Sequence, residues 1–459
     1  MSAGRIAVVG GGLAGIAAAL ACADGGARVT LFEAKARLGG ATYSFEHAGL
    51  RLDNGQHVYL RCCTAYRQLL RRIGSDGLTA LQPRLAIPVL APGGRLGWLR
   101  RNGLPAPLHL GAALARYPYL TWRDRLAVVR AAVALARLDL NDAALDRQTF
   151  GAWLRVRGQS RRALASLWEL ITLPTLNLRC DEASLGLAAM VFQQGLLFDH
   201  RAGDVGYARV PLGVAHGEQA LAALQATGVD VCLDTAVTSV RPEGSGFAVE
   251  ADGARVDVES AVVAVPHQRV AELLPPHAHP RLARFAALGA TPIVNVHVVY
   301  DRRVMEHPFA AGVGTPVQWV FDRTAAAGLR QGQCLAVSLS GADGLARLAN
   351  EAIEGQILPA LATLFPVAAQ ARVRLTVVTR EHAATFRQAP GSRELRPGPR
   401  TRVPGLFLAG AWTDTGWPAT MEGAVRSGVG AAREALIHLH RTGGGPPETG
   451  ARAAARQHP

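Results

Sequence analysis

Between the apolar run Arg5–Val9 and an alanine-rich stretch at residues 16–24, the chain reads Gly10-Gly11-Gly12-Leu13-Ala14-Gly15, so Gly10, Gly12 and Gly15 form G-x-G-x-x-G where a strand meets a helix. In that setting the first glycine makes a tight turn. The second lets the backbone approach a pyrophosphate, and the third brings the helix close to the sheet. The helix start then offers unpaired N–H groups and positive potential to phosphate. Gly25-Gly26 ends the helix, residues 27–33 read as a second strand, and Glu33 closes it. A carboxylate about twenty residues past the last glycine is placed to accept from ribose hydroxyls. Together these elements predict a βαβ unit that binds a dinucleotide.

At 459 residues the chain exceeds what one hydrophobic core organises, so joined domains are expected. Hydrophobic residues at 49% and charged residues at 18% fit a globular α/β protein. The net charge of +14 raises nucleic acid, an anionic membrane or an acidic ligand as partners. The arginines are dispersed, with no basic helix and no aromatic ribonucleoprotein signature, which argues against nucleic acid. Cysteines stand at 22, 62, 63, 180, 232 and 334, without C-x-x-C and without a histidine pair at zinc spacing, so no metal site is expected. Adjacent Cys62 and Cys63 join only through a strained ring, which favours reduced thiols and a cytoplasmic setting. No cleavable apolar leader and no apolar run of spanning length is read. A peripheral position on the inner membrane face is the expectation, with Arg100, Arg101 and Arg116 meeting anionic headgroups around an apolar mouth.

The texture of the chain changes several times. Residues 1–75, 205–270 and 396–440 read as three parts of a Rossmann-type cofactor domain. Residues 76–204 and 271–395 read as two parts of an inserted α+β substrate or cap domain, helical at 108–140 and 160–173. Residues 441–459 lack periodicity and read as a disordered tail.

Two further elements concern the cofactor. Arg37-Leu38-Gly39-Gly40 lies just beyond Glu33, and it resembles the R-x-G-G element of flavin amine oxidases and carotenoid desaturases, which favours FAD over NAD. Near the other end, Leu406 to Gly410 reads as a buried strand ending in glycine. Trp412, Asp414, Trp417, Met421 and Glu422 follow, and then a helix. A helix start aimed there can stabilise negative charge on a flavin's pyrimidine edge, and the segment resembles the C-terminal FAD motif of the same superfamily. No second G-x-G-x-x-G marks a nicotinamide domain, so the electron donor is not named by the sequence.

A closer resemblance rests on Asp53-Asn54-Gly55-Gln56-His57, on Leu60-Arg61-Cys62-Cys63-Thr64-Ala65-Tyr66, on Pro292-Ile293-Val294-Asn295 and on Gln318-Trp319-Val320-Phe321. These look like the hydroxysqualene dehydroxylases of bacterial hopanoid pathways, from residue 6 to about 439. The resemblance implies an amine oxidase-like α/β fold, an apolar isoprenoid substrate, reductive removal of a hydroxyl from hydroxysqualene to give squalene, and association with prenyl or squalene synthase-type enzymes. The residues expected at FAD are Gly10, Gly12, Gly15, Glu33, Arg37, Gly39, Gly40, Val237, Gly410, Asp414, Met421 and Glu422. His57 or Asp53 would assist departure of the hydroxyl; the alternative is a histidine that only fixes a turn. Glu422 is equally well a first-turn helix residue favoured by the dipole. Trp412, Trp417, Trp319, Phe192, Phe198 and Tyr207 either line an apolar tunnel or belong to the core. His277 and His279 are expected to be solvent-exposed.

There are departures from the superfamily. Ala41 stands where many relatives carry Arg, and Ala411 stands where an acidic residue is common. A missing charge-assisted bond costs about 1.5–3 kcal/mol, which Asp414 could offset. A carotenoid-type desaturase or isomerase, and a flavoprotein that only carries a lipid, are the alternatives the same motifs allow.

Overall fold

A computed structural model describes residues 4–443. Its organising element is a five-stranded parallel sheet in the order Asp230–Cys232, Arg28–Phe32, Arg5–Val9, Ser260–Val263, Leu406–Leu408. Parallel strands covered on both faces read as continuous apolar runs, and Ile6, Ala7 and Val8 beside Ala261, Val262 and Val263 are inaccessible to solvent. On one face lies the helix Leu13–Asp24 with the last helix, Met421–Gly443, packed across it. Their approach is very close: a Cβ on Gly428 would stand 2.0 Å from the Ala14 carbonyl oxygen. The other face is covered by an antiparallel meander, Val237–Glu243, Gly246–Ala251 and Ala254–Val258, whose Val240, Phe247 and Val249 pack beneath the sheet.

A second, seven-stranded mixed sheet runs Val373–Thr385, Thr291–Tyr300, Gln333–Leu339, Trp319–Asp322, Phe309–Gly312, Ala86–Ala91, Arg95–Arg100. The helix Asn350–Leu364 buries Ile353, Ile357 and Leu361 against it. Helices Trp122–Ala136, Phe150–Val156, Glu169–Leu176 and Leu185–Phe192 form the cap around Phe150, Trp153, Trp168 and Phe192. Between these bodies, the hairpin Ser44–His47 and Leu50–Asp53 is followed by Val58–Leu60. That short strand pairs with Val205–Ala208, which pairs in turn with Thr79–Leu81.

Several expectations change. Residues 441–443, read as the start of a tail, continue the final helix; residues 444–459 lie outside the described residues. Arg101 is buried, its guanidinium bonded to both carboxylate oxygens of Asp204 at 2.6 and 3.0 Å, so it is closed to headgroups. His279 is half-buried against Phe285, with its Nδ1 accepting from the Arg281 N–H, whereas His277 is exposed. Phe192 and Trp412 are core residues, and Phe198 is exposed. No helix among the described residues is long and apolar enough to cross a membrane.

Candidate flavin site

The three glycines of the first turn act in three different ways. Gly10 has φ 106°, and a Cβ there would lie 2.7 Å from the Ala264 carbonyl oxygen. A Cβ on Gly15 would lie 1.8 Å from the Gly10 carbonyl oxygen, so only glycine lets the helix rest on the turn. Gly12 differs: a Cβ there would meet no protein atom nearer than the Gly40 Cα at 3.9 Å. It is the N-cap of Leu13–Asp24 without a side-chain cap, so the helix N–H groups face open space. That is the shape a diphosphate requires.

The surrounding residues close in on this loop. The Glu33 carboxylate accepts from the Gly11 N–H at 2.6 Å and the Lys35 N–H at 2.9 Å, at the end of its strand. The Gly39 N–H donates to the Gly11 carbonyl at 2.9 Å, and a Cβ on Gly40 would stand 2.9 Å from the Gly12 Cα. Arg37 lies 3.6 Å above the Tyr43 ring and donates to the Gly40 carbonyl at 3.1 Å. Val237 is buried at the start of its strand, and the preceding loop is tied to the acidic end, with the Thr235 N–H donating to the Glu33 carbonyl at 2.9 Å. All of this gathers at the carboxyl end of the parallel strands, where open α/β sheets bind ligands.

At the far edge, Gly410 has φ 136° and its N–H donates to Ser427 Oγ at 2.8 Å. Thr420 accepts from the N–H groups of Gly423 and Ala424, leaving those of Met421 and Glu422 at the helix start. The Glu422 side chain departs from its expected place at the cofactor. Its carboxylate is buried and accepts from the Ala65 N–H at 3.2 Å, the Tyr66 N–H at 2.8 Å and Arg426 Nε at 2.6 Å. Its work is to cap the helix Thr64–Arg72, favoured by the dipole there. Asp414 is exposed and accepts from the Gly416 N–H at 3.1 Å, as a turn residue does. Arg396, which the sequence reading missed, is buried under this loop and donates to the carbonyls of Trp412, Thr413 and Trp417.

The segment 53–57 is clamped where the two sheets meet. Asp53 is buried and accepts from Ser44 Oγ at 2.6 Å, the Leu212 N–H at 2.8 Å and Arg323 Nη2 at 2.8 Å. The Asn54 carbonyl accepts from Asn295 Nδ2 and Thr379 Oγ1, and its side chain donates to Ala41 and to Glu381. His297 stands 2.9 Å from the Asp53 carbonyl. His57 follows, and burial lowers its proton affinity against the opposing pull of Asp53 and Glu381. Nearby, the Tyr66 hydroxyl and His216 Nε2 are 2.6 Å apart, and burial pulls His216 down to about 3. Gln56 Nε2, His216 Nδ1 and Asn295 Oδ1 are buried polar atoms without a protein partner. Neither Arg323 nor Glu381 was legible beforehand, because nothing local marks an arginine or glutamate whose partner is hundreds of residues away.

A glycine turn shaped for a diphosphate, an acid at the ribose position and a second glycine turn across the same sheet define a dinucleotide-binding oxidoreductase of the flavoprotein class. Residues 13–436 match the family described as flavin containing amine oxidoreductase, and the chain belongs to that family. It is similar to a hydroxysqualene dehydroxylase of Rhodopseudomonas palustris, 30% identical over 437 residues, covering 93% of this chain and 96% of that protein. It is also similar to a probable zeta-carotene desaturase of Synechococcus elongatus, 27% identical over 479 residues, covering 94% of this chain and 98% of that protein. Among solved structures, cyclohexylamine oxidase from Brevibacterium oxydans shares the fold with a TM-score of 0.72 and 20% identity, over 96% of this chain and all of that one.

Proposed function

We propose that this flavin-dependent oxidoreductase binds FAD and reductively removes the hydroxyl of hydroxysqualene, releasing squalene and water. The observation that carries this reading is the likeness to a hydroxysqualene dehydroxylase across 96% of that protein's length. Gly10, Gly12 and Gly15 with the first helical turn would hold the diphosphate, and Glu33 the ribose. Arg37, Gly39 and Gly40 would close over the phosphates, Val237 would border the adenosine end, and the Gly410 turn with the Met421 N–H would hold the ring end, with Asp414 at its rim. Bound in reduced form, FAD would supply a hydride to the carbon that loses the hydroxyl, while that hydroxyl takes a proton and leaves as water.

His57 is the residue we assign to the proton. Desolvation lowers its proton affinity, which favours giving a proton up, while Asp53 and Glu381 pull the other way and favour its uptake. Asp53 itself is a positioning residue, because its carboxylate is already engaged by Ser44, Leu212 and Arg323. The apolar cluster of the cap, which reaches Val58, Leu60, Tyr207 and Trp319 next to the 53–57 segment, would keep bulk water from the allylic centre.

The test is anaerobic mixing of the photoreduced protein with hydroxysqualene, followed through flavin reoxidation and product analysis. Squalene should form in proportion to flavin oxidised, and His57→Phe should slow the reaction about 10²- to 10⁴-fold while keeping its flavin. A second reading rests on the zeta-carotene desaturase likeness and runs the hydride in the opposite direction. Bleaching of the oxidised protein by a carotene, with no squalene from the reduced one, would establish that reading instead.

A further inference from the structure

Among the described residues twelve large apolar side chains stand exposed, and nine of them fall between residues 96 and 198, in the cap and its approach. Four form one line on the helix Trp122–Ala136: Trp122, Leu126, Val129 and Val133, exposed by 64, 55, 48 and 40%. Their spacing of four, three and four residues places them on a single stripe. The opposite face of the same helix, through Ala127, Val128, Ala131 and Leu135, is already buried in the cap. Packing therefore accounts for one apolar face and leaves a second in water. A contiguous exposed apolar row of this kind marks a binding surface.

Charge beside the stripe indicates the partner. Arg123, Arg130 and Arg137 recur every seven residues and so share one flank, and all three are exposed. Arg123 and Arg130 also line a concavity of about 470 Å³ with Arg162, Thr121 and Ser160. Its one acid, Asp124, spends its carboxylate on Thr121 Oγ1 at 2.7 Å, the Thr121 N–H at 3.0 Å and Ser160 Oγ at 2.6 Å. The helix N-terminus is closed by the same capping box and both hydroxyls are spent on Asp124, so the concavity presents guanidinium groups. An indole at one end, a branched aliphatic row and an arginine flank are what an interfacial helix presents to acyl chains and to phosphate headgroups.

We infer that the helix Trp122–Ala136 is a membrane-docking surface. Its Trp122, Leu126, Val129 and Val133 stripe enters the headgroup and acyl boundary of an anionic bilayer, while Arg123, Arg130 and Arg162 receive a lipid phosphate. Of the arginines expected at headgroups, Arg100 and Arg116 are exposed and Arg101 is closed; the surface on Trp122–Ala136 stands on exposure and charge alone, independent of which isoprenoid the enzyme accepts.

The full chain with its flavin is sedimented with vesicles of phosphatidylglycerol and phosphatidylcholine in equal parts, and separately with pure phosphatidylcholine. Binding should be stronger to the anionic vesicles, weakened by salt but not abolished. Arg123→Gln and Arg130→Gln should each lower binding about fivefold. Leu126→Ser combined with Val129→Ser should remove the salt-resistant part, with flavin content and elution volume unchanged. Fluorescence of the wild type should be quenched by lipids brominated near the headgroup, and Trp122→Phe should lose that quenching. Three results would overturn the inference: no binding to either vesicle, unchanged binding by the serine variant, or a wild-type dimer that the serine variant converts to monomer. The last would assign the stripe to a second copy of the chain.

Discussion

The contrast between Gly12 and Gly15 turns the shape of the phosphate loop into numbers. At Gly12 the backbone is extended, with φ −74° and ψ 176°, and an added Cβ has no protein atom within 3.9 Å. For the apoprotein, Gly12→Ala exchanges a better N-cap residue for a poorer one, at about 0.5–1 kcal/mol. Reduced freedom in the unfolded chain returns about 0.4–1 kcal/mol. Apoprotein stability should therefore change by less than about 1 kcal/mol. With FAD bound as proposed, its affinity should not survive so well, because the methyl group would enter the space of the diphosphate. Losing two charge-assisted N–H bonds at about 1.5–3 kcal/mol each weakens binding about 10²- to 10⁴-fold. At Gly15 the order reverses. A Cβ 1.8 Å from the Gly10 carbonyl must recede by roughly 1.6 Å to reach ordinary contact at 3.4 Å, and the buried helix moves with it. Overpacking on that scale costs about 3 kcal/mol or more, so Gly15→Ala should destabilise the apoprotein itself. Deflavinated proteins would be compared by urea unfolding, and FAD binding by titration of flavin fluorescence. Wild-type affinity in Gly12→Ala, or an apoprotein of undiminished stability in Gly15→Ala, would refute the reasoning.

Other expectations follow from the buried groups. Arg323→Met leaves the buried Asp53 carboxylate without its cation and should cost about 3–5 kcal/mol in urea unfolding, with Asp53→Asn restoring part of the loss. Glu422→Gln should lower stability by about 1–2 kcal/mol through the start of Thr64–Arg72 and its Arg426 pair, with FAD affinity unchanged within twofold; a large affinity loss would return Glu422 to the cofactor. His216 is held neutral by burial, down to about 3 against 6.5 when unfolded, so the unfolded chain binds the extra proton between these values. Its contribution is fully present above pH 6.5 and falls as pH drops below it, by up to about 1.4 kcal/mol per pH unit. His216→Gln should flatten that part of the stability profile, and an unchanged slope would exclude His216 as its source.

What could be read from the chain in advance was what local rules control. Gly10, Gly12 and Gly15 announce themselves because a strand, a turn and a helix follow one another within a few residues. The apolar run at 406–408 shows as a buried strand for the same reason. The strands at 44–60 were not visible, because they are short, mixed in polarity and held by distant partners, as Leu60 is by Val205. The polar framework was hidden for a related reason. Arg101 looks like any surface arginine until Asp204 is brought beneath it, and Asp53 looks catalytic until Arg323 arrives across the second sheet. Burial of charge is a tertiary event, and it decides which acids and bases remain free for chemistry. The R-x-G-G segment was legible as a motif, yet its packing of Gly40 onto Gly12 is a property of the folded loop.

The central sheet takes its strands from early, middle and late stretches of the chain, with Arg5–Val9 flanked by Arg28–Phe32 and by Ser260–Val263, and Leu406–Leu408 added at the edge. During synthesis the first strand must therefore wait for some 250 residues before its second neighbour exists, and the edge strand arrives nearly 150 residues later still. The ribosome releases the final helix after all of these, so cofactor capture is a late event that follows translation of nearly the whole described chain. Between the translation of Ser260–Val263 and the arrival of Leu406–Leu408, the former presents an open apolar edge, and in that interval the nascent protein is prone to aggregate.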